Sequence, residues 1–320
     1  FIIDGMPGDY STLNPNDIET IEVLKDASST AVYGASGANG VVIITTKNGS
    51  RGKVKTDFNS YFGINGWSQT PKMRIGEEYL QGIRDANKAI GNWSSTADDE
   101  RVVDGVLGTG AYKAAEAGHF INWPKTLLKT AMTQNYSAAF SGGTDKTSAY
   151  FSLNFSDETG QYKNDDYKVY SSNIRIDHKL KSWASIGVNA RMSYAYQNIA
   201  YSHLDQAMTR VPIGSLYDED GNLAIQPSYG SSTNINLLLN NKENYRNNNQ
   251  NFKLYFNPYI EIKPFKGFSI LSRLQAILTY TRNNYFQGMG SYQYYNANGA
   301  NAVGTNSDVY ASITQDRQYN

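Results

Sequence analysis

From Lys53 onward the sequence alternates with a period of two. Val54, Thr56, Phe58, Phe62 and Ile64 share one parity, while Lys55, Asp57, Asn59 and Tyr61 share the other. The pattern returns around Tyr136–Phe140, Ala149–Phe155, Ser172–Leu180, Ile186–Tyr194, Phe252–Ile262 and Phe268–Tyr280, with a weaker repeat at Val309, Ala311 and Ile313. Strict alternation is the mark of strands with one apolar and one polar face. About eight such strands of roughly ten residues are predicted, the length that crosses a hydrocarbon core when tilted.

The links between strands carry separate information. Gly142–Asp145, Lys179–Trp183 and Lys263–Gly267 read as tight turns; 66–134, 157–166, 197–249 and 284–306 are longer. Short and long links alternate, as they do when short turns lie on one side of a membrane and long loops on the other. Trp183, Tyr194, Tyr196, Phe265, Phe268 and Tyr280 fall near strand ends, where interfacial aromatic girdles form. The first long loop holds one amphipathic helical segment, Gly76–Ile90, with Tyr79, Leu80, Ile83 and Ala86 on one face.

Composition narrows the classes. Net charge is zero, so no basic nucleic-acid surface is expected. Cysteine is absent, which removes disulfides and thiolate metal sites. No apolar run approaches the length of a transmembrane helix. The 25 tyrosines and 28 glycines lean toward an aromatic-rich β wall.

Residues 1–49 break the rhythm. Phe1-Ile2-Ile3-Asp4 begins mid-strand with no initiator Met, so the chain is expected to be part of a longer secreted precursor. Ile2, Ile3 and Met6 lead toward a turn at Pro7-Gly8. Asn14 before Pro15 signals a brief helical turn. Ile18, Ile21, Val23 and Leu24 read as a buried strand, Asp26 or Ser28 as the cap of a short helix over Ala31–Tyr33, and Val41–Thr46 as a strand covered on both faces. About 50 residues would bury only a marginal core alone, so this α/β unit needs further residues or a surrounding wall. Gly34, Gly37 and Gly40 do not match a phosphate-loop or dinucleotide spacing.

These stretches resemble the SusC/RagA type of TonB-dependent outer-membrane transporters. The resemblance lies in Ile3-Asp4-Gly5, Asn14 to Glu19, Glu22 to Ala27, Tyr33-Gly34, Ala38 to Val41 and Ile44 to Lys47, and less strongly in Gln134–Tyr136, Ser141–Lys146 and Tyr150–Phe155. The family usually carries Arg between Tyr-Gly and Ala-Asn-Gly, where this chain has Ala35-Ser36-Gly37. The resemblance implies a mainly β fold: a small α/β plug, residues 1–49, followed in 50–320 by the first strands of a large transmembrane β-barrel with long extracellular loops. It marks Asp4, Gly5, Asn14, Pro15, Asp17, Glu22, Lys25, Asp26, Tyr33, Gly34, Asn39 and Gly40 as plug-motif residues. It also implies outer-membrane import of oligosaccharides or peptides, a SusD-like surface lipoprotein as lid, the TonB–ExbB–ExbD complex as motor, and a possible dimer of transporter–lid pairs. An eight-stranded barrel is filled by its own side chains, so these strands are expected not to close around a plug. The plug should lie on the periplasmic side.

Chemistry is not expected. His119, His178 and His203 lack metal-ligand spacing, with His178 expected at a membrane interface. Asp218–Asn222 resembles a calcium loop, but Tyr229 stands where a bidentate Glu belongs, so a solvated turn is expected. Asp98-Asp99-Glu100 reads as an exposed helix start. No nucleophile–base–orienter set is visible, and neither enzyme activity nor a cofactor is expected. Trp93, Trp123, Tyr292, Tyr294 and Tyr295 are candidate substrate contacts, since loop aromatics stack on sugar rings; packing between loops is the competing reading. A structural or adhesive barrel that transports nothing is the alternative function.

Overall fold

The computed structural model describes residues 1–26, 30–70, 72–201, 203–231, 233–302 and 310–319. Two sheets organise them. The N-terminal sheet has the order β2-β1-β4-β3, from β1 (Ile2–Ile3), β2 (Met6–Pro7), β3 (Ile18–Leu24) and β4 (Val41–Thr46). β1 and β2 pair Ile3 with Met6, so the turn falls at Asp4-Gly5 rather than at Pro7-Gly8. Both turn residues have positive φ, 51° and 83°. Asp-Gly is the dipeptide that a tight two-residue hairpin of this hand favours.

β4 lies between β1 and β3 and buries Val41, Ile44 and Thr46. β3 corrects the expectation of a buried strand: it forms the sheet edge, with Ile21 58% and Val23 55% exposed. Asn14 accepts a hydrogen bond from the Asn16 amide and opens a short 3-10 turn, Pro15–Asp17. The second helical segment is also 3-10, Ala31–Gly37, kinked at Gly34 (φ 57°). It has no side-chain cap; Thr30 instead bonds back to the Asp26 carbonyl. Ala27 and Ser28 lie outside the described residues.

The second sheet follows the chain as a meander. Its path runs through β5 (Lys55–Asn65), β6 (Ala131–Gly143), β7 (Thr147–Thr159), β8 (Asp166–Lys181), β9 (Ala184–Asn198), β10 (Tyr245–Ile262), β12 (Ala276–Gln287) and β13 (Tyr310–Tyr319). β11 (Ile270–Arg273) pairs with the end of β10. β11 and β12 occupy one line of register against β10: Tyr259 faces Arg273 and Phe256 faces Ala276. Pro258 lies opposite the break. It accepts from the Leu274 amide but has no N–H to return. The single strand read over 268–280 is divided for that reason, and it extends to Gln287. Val309 lies outside the described residues. Most strands exceed ten residues, which shrinks the link after β7 to 160–165. β5 and β13 each have one strand neighbour among the described residues, so the sheet is open, as expected.

Register aligns the outward face into rows. One row is aromatic across six strands: Tyr136, Phe155, Tyr170, Tyr194, Phe252 and Tyr280 face one another in turn. Immediately above it stand Gln134, Asp157, Lys168, Tyr196, Gln250 and Arg282. Below it come Leu153, Phe151, Ile174, Ile176, Met192, Ile186, Phe256 and Ile260, then the turn aromatics Trp183, Phe265 and Phe268. From Tyr170 to Leu180 the strand advances about 33 Å at about 3.3 Å per residue; a tilt of about 40° makes the belt about 25 Å tall. That is the height of a bilayer-facing band on a barrel. His178, bonded to Thr147 Oγ1 at 2.8 Å, lies at its lower margin. Ile174 is near mid-height and 37% exposed. Ile174→Arg is expected to cost about 2–4 kcal/mol, read as a lower urea midpoint for the full-length protein folded into lipid vesicles.

Three long loops gather at the aromatic end of the strands. The first carries α1 (Glu77–Ala89), α2 (Asp99–Leu107), α3 (Ala111–Glu116) and α4 (Trp123–Leu127). The second carries α5 (Leu204–Thr209), and the third α6 (Tyr292–Asn298). Ile121, Trp123 and Leu127 from the first pack with Ala207, Ile235, Leu237 and Leu239 from the second and Tyr292 from the third. A further cluster joins Leu80, Val102, Val103 and Leu107 to Ile213. The loops therefore form one canopy with its own apolar core.

Candidate functional site

The inward face of the sheet is polar, and the N-terminal unit sits on it. Asp4 is the centre of the seam. Its carboxylate accepts from the Thr46 amide (2.8 Å) and Thr46 Oγ1 (2.9 Å) within the unit, and from Asn189 Nδ2 (2.5 Å) on β9. Arg175 Nη1 on β8 stands 3.5 Å away. Arg175 is steadied by Asp177, which in turn accepts from Tyr259 Oη at 2.6 Å. Asp17, 3% exposed, accepts from Tyr150 Oη at 2.8 Å and Asn154 Nδ2 at 3.0 Å on β7. Asp9 pairs with Lys253 on β10, and Gln275 Nε2 donates to the Pro7 carbonyl at 3.0 Å. Carboxylates of the small unit thus meet cations and amides of the wall.

The link between the two is equally close. Gly52 and Gly143 exchange backbone hydrogen bonds at 3.1 and 3.2 Å. A Cβ on Gly49 would lie 2.3 Å from the Ala149 nitrogen, so only glycine fits that crossing. The seam lies at the height of the outer apolar belt: Tyr150, Arg175 and Asn189 form one cross-strand row, beside Ile174 and Ile176 on the opposite face.

Of the motif residues, the fold brings Asp4, Gly5, Asn14, Pro15 and Asp17 to this seam or to the turns that shape it. Glu22, Lys25, Asp26, Gly34 and Asn39 are exposed elsewhere on the unit, with Tyr33 and Gly40 half-buried among them. Polar wall residues such as Asn154, Arg175 and Asn189 were missed by sequence reading. Their only signal was parity opposite the apolar positions.

The canopy corrects the aromatic candidates. Trp123 is 0% exposed, and Tyr292 and Tyr294 are fully buried. Trp93 packs on the second loop cluster and donates to Asp99 Oδ1 at 2.8 Å, while Tyr295 packs on the first. The three buried rings hold the canopy together, because apolar rings on converging loops bury one another before they wait for a ligand, while Trp93 and Tyr295 are half-buried at its edge. Asp99 is a second correction: the expected exposed helix start is 1% exposed and takes both Arg84 Nε (2.9 Å) and Nη2 (2.6 Å). Asp218 caps a turn through the Asp220 and Asn222 amides, as a solvated turn should.

One of the hollows the loops leave is a cavity of about 800 Å³ between the canopy and the tops of β8–β10. Tyr162, Tyr201, Tyr217, Asn241, Arg246 and Asn248 are among its walls. Aromatic faces beside amides and a guanidinium suit a polar oligomer with hydroxyl or peptide groups.

His203, beside that cavity's Tyr201, is buried between the rings of Tyr201 (4.4 Å) and Tyr292 (4.1 Å). Burial, aided by the neighbouring Arg210 charge and opposed by Asp205, pushes its pKa down to about 4. The unfolded chain takes the proton first, near 6.5. His203 therefore leaves stability intact above that pH and withdraws about 3 kcal/mol as pH falls toward 4. The protection factors of the 203–210 amides, that is their exchange relative to the unfolded chain at the same pH, are expected to fall between pH 7.5 and 4.5, and His203→Phe should flatten that dependence.

Comparison with known proteins follows this geometry. Residues 1–41 match the family model for the TonB-dependent Receptor Plug Domain. The chain is 28% identical over 292 residues to TonB-dependent receptor P26 of Formosa agariphila, covering 89% of this chain and 28% of P26. It is 32% identical over 179 residues to TonB-dependent receptor SusC of Bacteroides thetaiotaomicron, covering 54% of this chain and 15% of SusC. Its backbone superposes on the RagAB peptide importer in the closed-closed state with a TM-score of 0.72 and 27% identity, over 89% of this chain and 35% of that chain. The chain thus spans well under half the length of each of these relatives.

Proposed function

This chain belongs to the SusC/RagA type of TonB-dependent transporters, and from that premise we propose that it supplies the plug and the first wall strands of an outer-membrane importer of oligosaccharides or peptides. Residues 1–49 are the plug and residues 50–320 the opening strands and loops of the barrel. The observation that carries the reading is the two-faced wall: an apolar belt with an aromatic rim outside, and a small unit hydrogen-bonded through Asp4 and Asp17 to polar side chains inside. A polar seat suits a plug that must leave and return, since water replaces each bond on release. Cargo binds in the canopy cavity, under a SusD-like lipoprotein lid. The TonB–ExbB–ExbD motor then draws the plug toward the periplasm.

Deleting the gene for the full-length protein tests this. Growth should fail on either a maltodextrin mixture or a tryptic casein digest, while growth on glucose plus free amino acids stays normal. Undiminished growth on both pools, in a strain with no other transporter of this type, would remove the import reading.

A further inference from the structure

Among the described residues of the seam, one buried guanidinium has neither a hydrogen bond nor an ion pair of its own. Arg191, on β9, is 2% exposed, and its Nε, Nη1 and Nη2 have no hydrogen-bond partner in the protein. Its guanidinium leans over the Tyr255 ring, 4.9 Å from the centroid. The plug's own backbone lies on its other side, for a Cβ on Gly8 would come within 3.3 Å of Nη2. Asp4 in the same seam is already committed to Thr46, Asn189 and Arg175. Cross-strand neighbours repeat the pattern. Asn173 faces Arg191 in register, and both its side-chain polar atoms are buried without a partner. The same is true of both polar atoms of Asn257, one row away, and of Asn189 Oδ1.

Covering such groups works against seating. A guanidinium taken from water without a carboxylate loses its hydration, and a ring face returns only part of it. Natural interiors rarely leave such groups orphaned, and an orphan asks for a reason. Here the cost exists only while the plug is seated, because departure of the plug returns Arg191 to water. Arg175, Asn189 and Lys253 hold the plug; Arg191, Asn173 and Asn257 oppose it.

We propose that Arg191, with Asn173 and Asn257, is a release element, an unpaired cation that the seated plug covers at a loss so that a modest pull frees it. This rests on the reading of residues 1–49 as a plug that moves during import. It assigns Arg191 a positioning role in transport rather than a structural one.

The test uses the full-length transporter in lipid nanodiscs. Arg191→Met keeps length and removes the charge. The amides of Ile2–Met6 are expected to exchange at least about tenfold more slowly, and the force needed to extract the plug by its N-terminal end should rise. Growth on whichever of the two nutrient pools supports the wild type should slow. Arg191→Lys should behave as wild type in all three. If Arg191→Met does not assemble, Arg191→Gln must show the same slowing. Unchanged or faster exchange in the neutral variant overturns the proposal and makes Arg191 a holding residue, satisfied by an ion or ordered water. Exchange and force need no cargo. Slower exchange in a protein whose loss spares growth on both pools would therefore retain the inference about seating and reject import.

Discussion

Asp4→Ala is expected to unseat the N-terminal unit from the wall. The carboxylate joins both partners: Thr46 on the plug side, Asn189 and Arg175 on the wall side. Truncation leaves the Thr46 amide and hydroxyl and the Asn189 amide without their acceptor, and Arg175 with Asp177 as its remaining carboxylate. Breaking a buried charged contact by removing one partner costs about 3–5 kcal/mol. Alanine also inherits φ 51°, a left-handed conformation that Asp tolerates better than residues without a short polar side chain. In the full-length protein the Ile2–Met6 amides should exchange faster by orders of magnitude, and cells should become sensitive to vancomycin, which an unplugged pore admits. Asp4→Asn separates the two contributions, since it tolerates the backbone and loses the charge. Normal protection and normal vancomycin resistance in Asp4→Ala would show that the seam does not hold the plug.

Asp99→Ala should collapse the first loop of the canopy. Asp99 is buried at the N-terminus of α2 and bridges to Arg84 of α1 through two hydrogen bonds, with Trp93 donating to the same carboxylate. Removal strands a guanidinium that is itself 9% exposed, leaving it the exposed Glu77 and a long contact to Gln81 Oε1 at 3.5 Å. The expected loss is about 3–5 kcal/mol, measured as rapid proteolysis within residues 66–130 while the strands remain protected. Arg84→Met with Asp99→Leu should restore much of it, because the cost lies in the orphaned charge rather than in the absence of the pair. Arg84 first, and Trp93 after it, hold the Asp99 carboxyl below the usual range against the desolvation that raises it. Its contribution is therefore present above about pH 4 and lost only as pH falls through the lowered value.

Local rules went far in this chain. Alternation of two found the wall strands and assigned their faces, though it ran β11 and β12 together, because a sheet with one apolar and one polar face punishes a slip of one residue. Asp4-Gly5 dictates a tight hairpin by its φ preferences, and the turn falls there rather than at Pro7-Gly8. Asn14-Pro15 opened its short helix where capping chemistry puts it. The motif residues Asp4 and Asp17 stood out before their partners were visible.

Partners are what sequence order conceals. Asp4 and Asn189 are 185 positions apart, and Asp17 and Asn154 are 137. Only the curl of the meander around the small unit puts them within hydrogen-bond reach. Trp93, Trp123 and Tyr292 looked available because loops are polar on average; three loops converging on one end of the strands gave their rings somewhere dry to go. Asp99 looked exposed because a carboxylate at a helix start usually is, until α1 laid Arg84 against it. Arg191 read as one polar residue in an alternating strand. That its charge is buried and unpaired beside the small unit follows from the packing of two sheets, which no local pattern encodes.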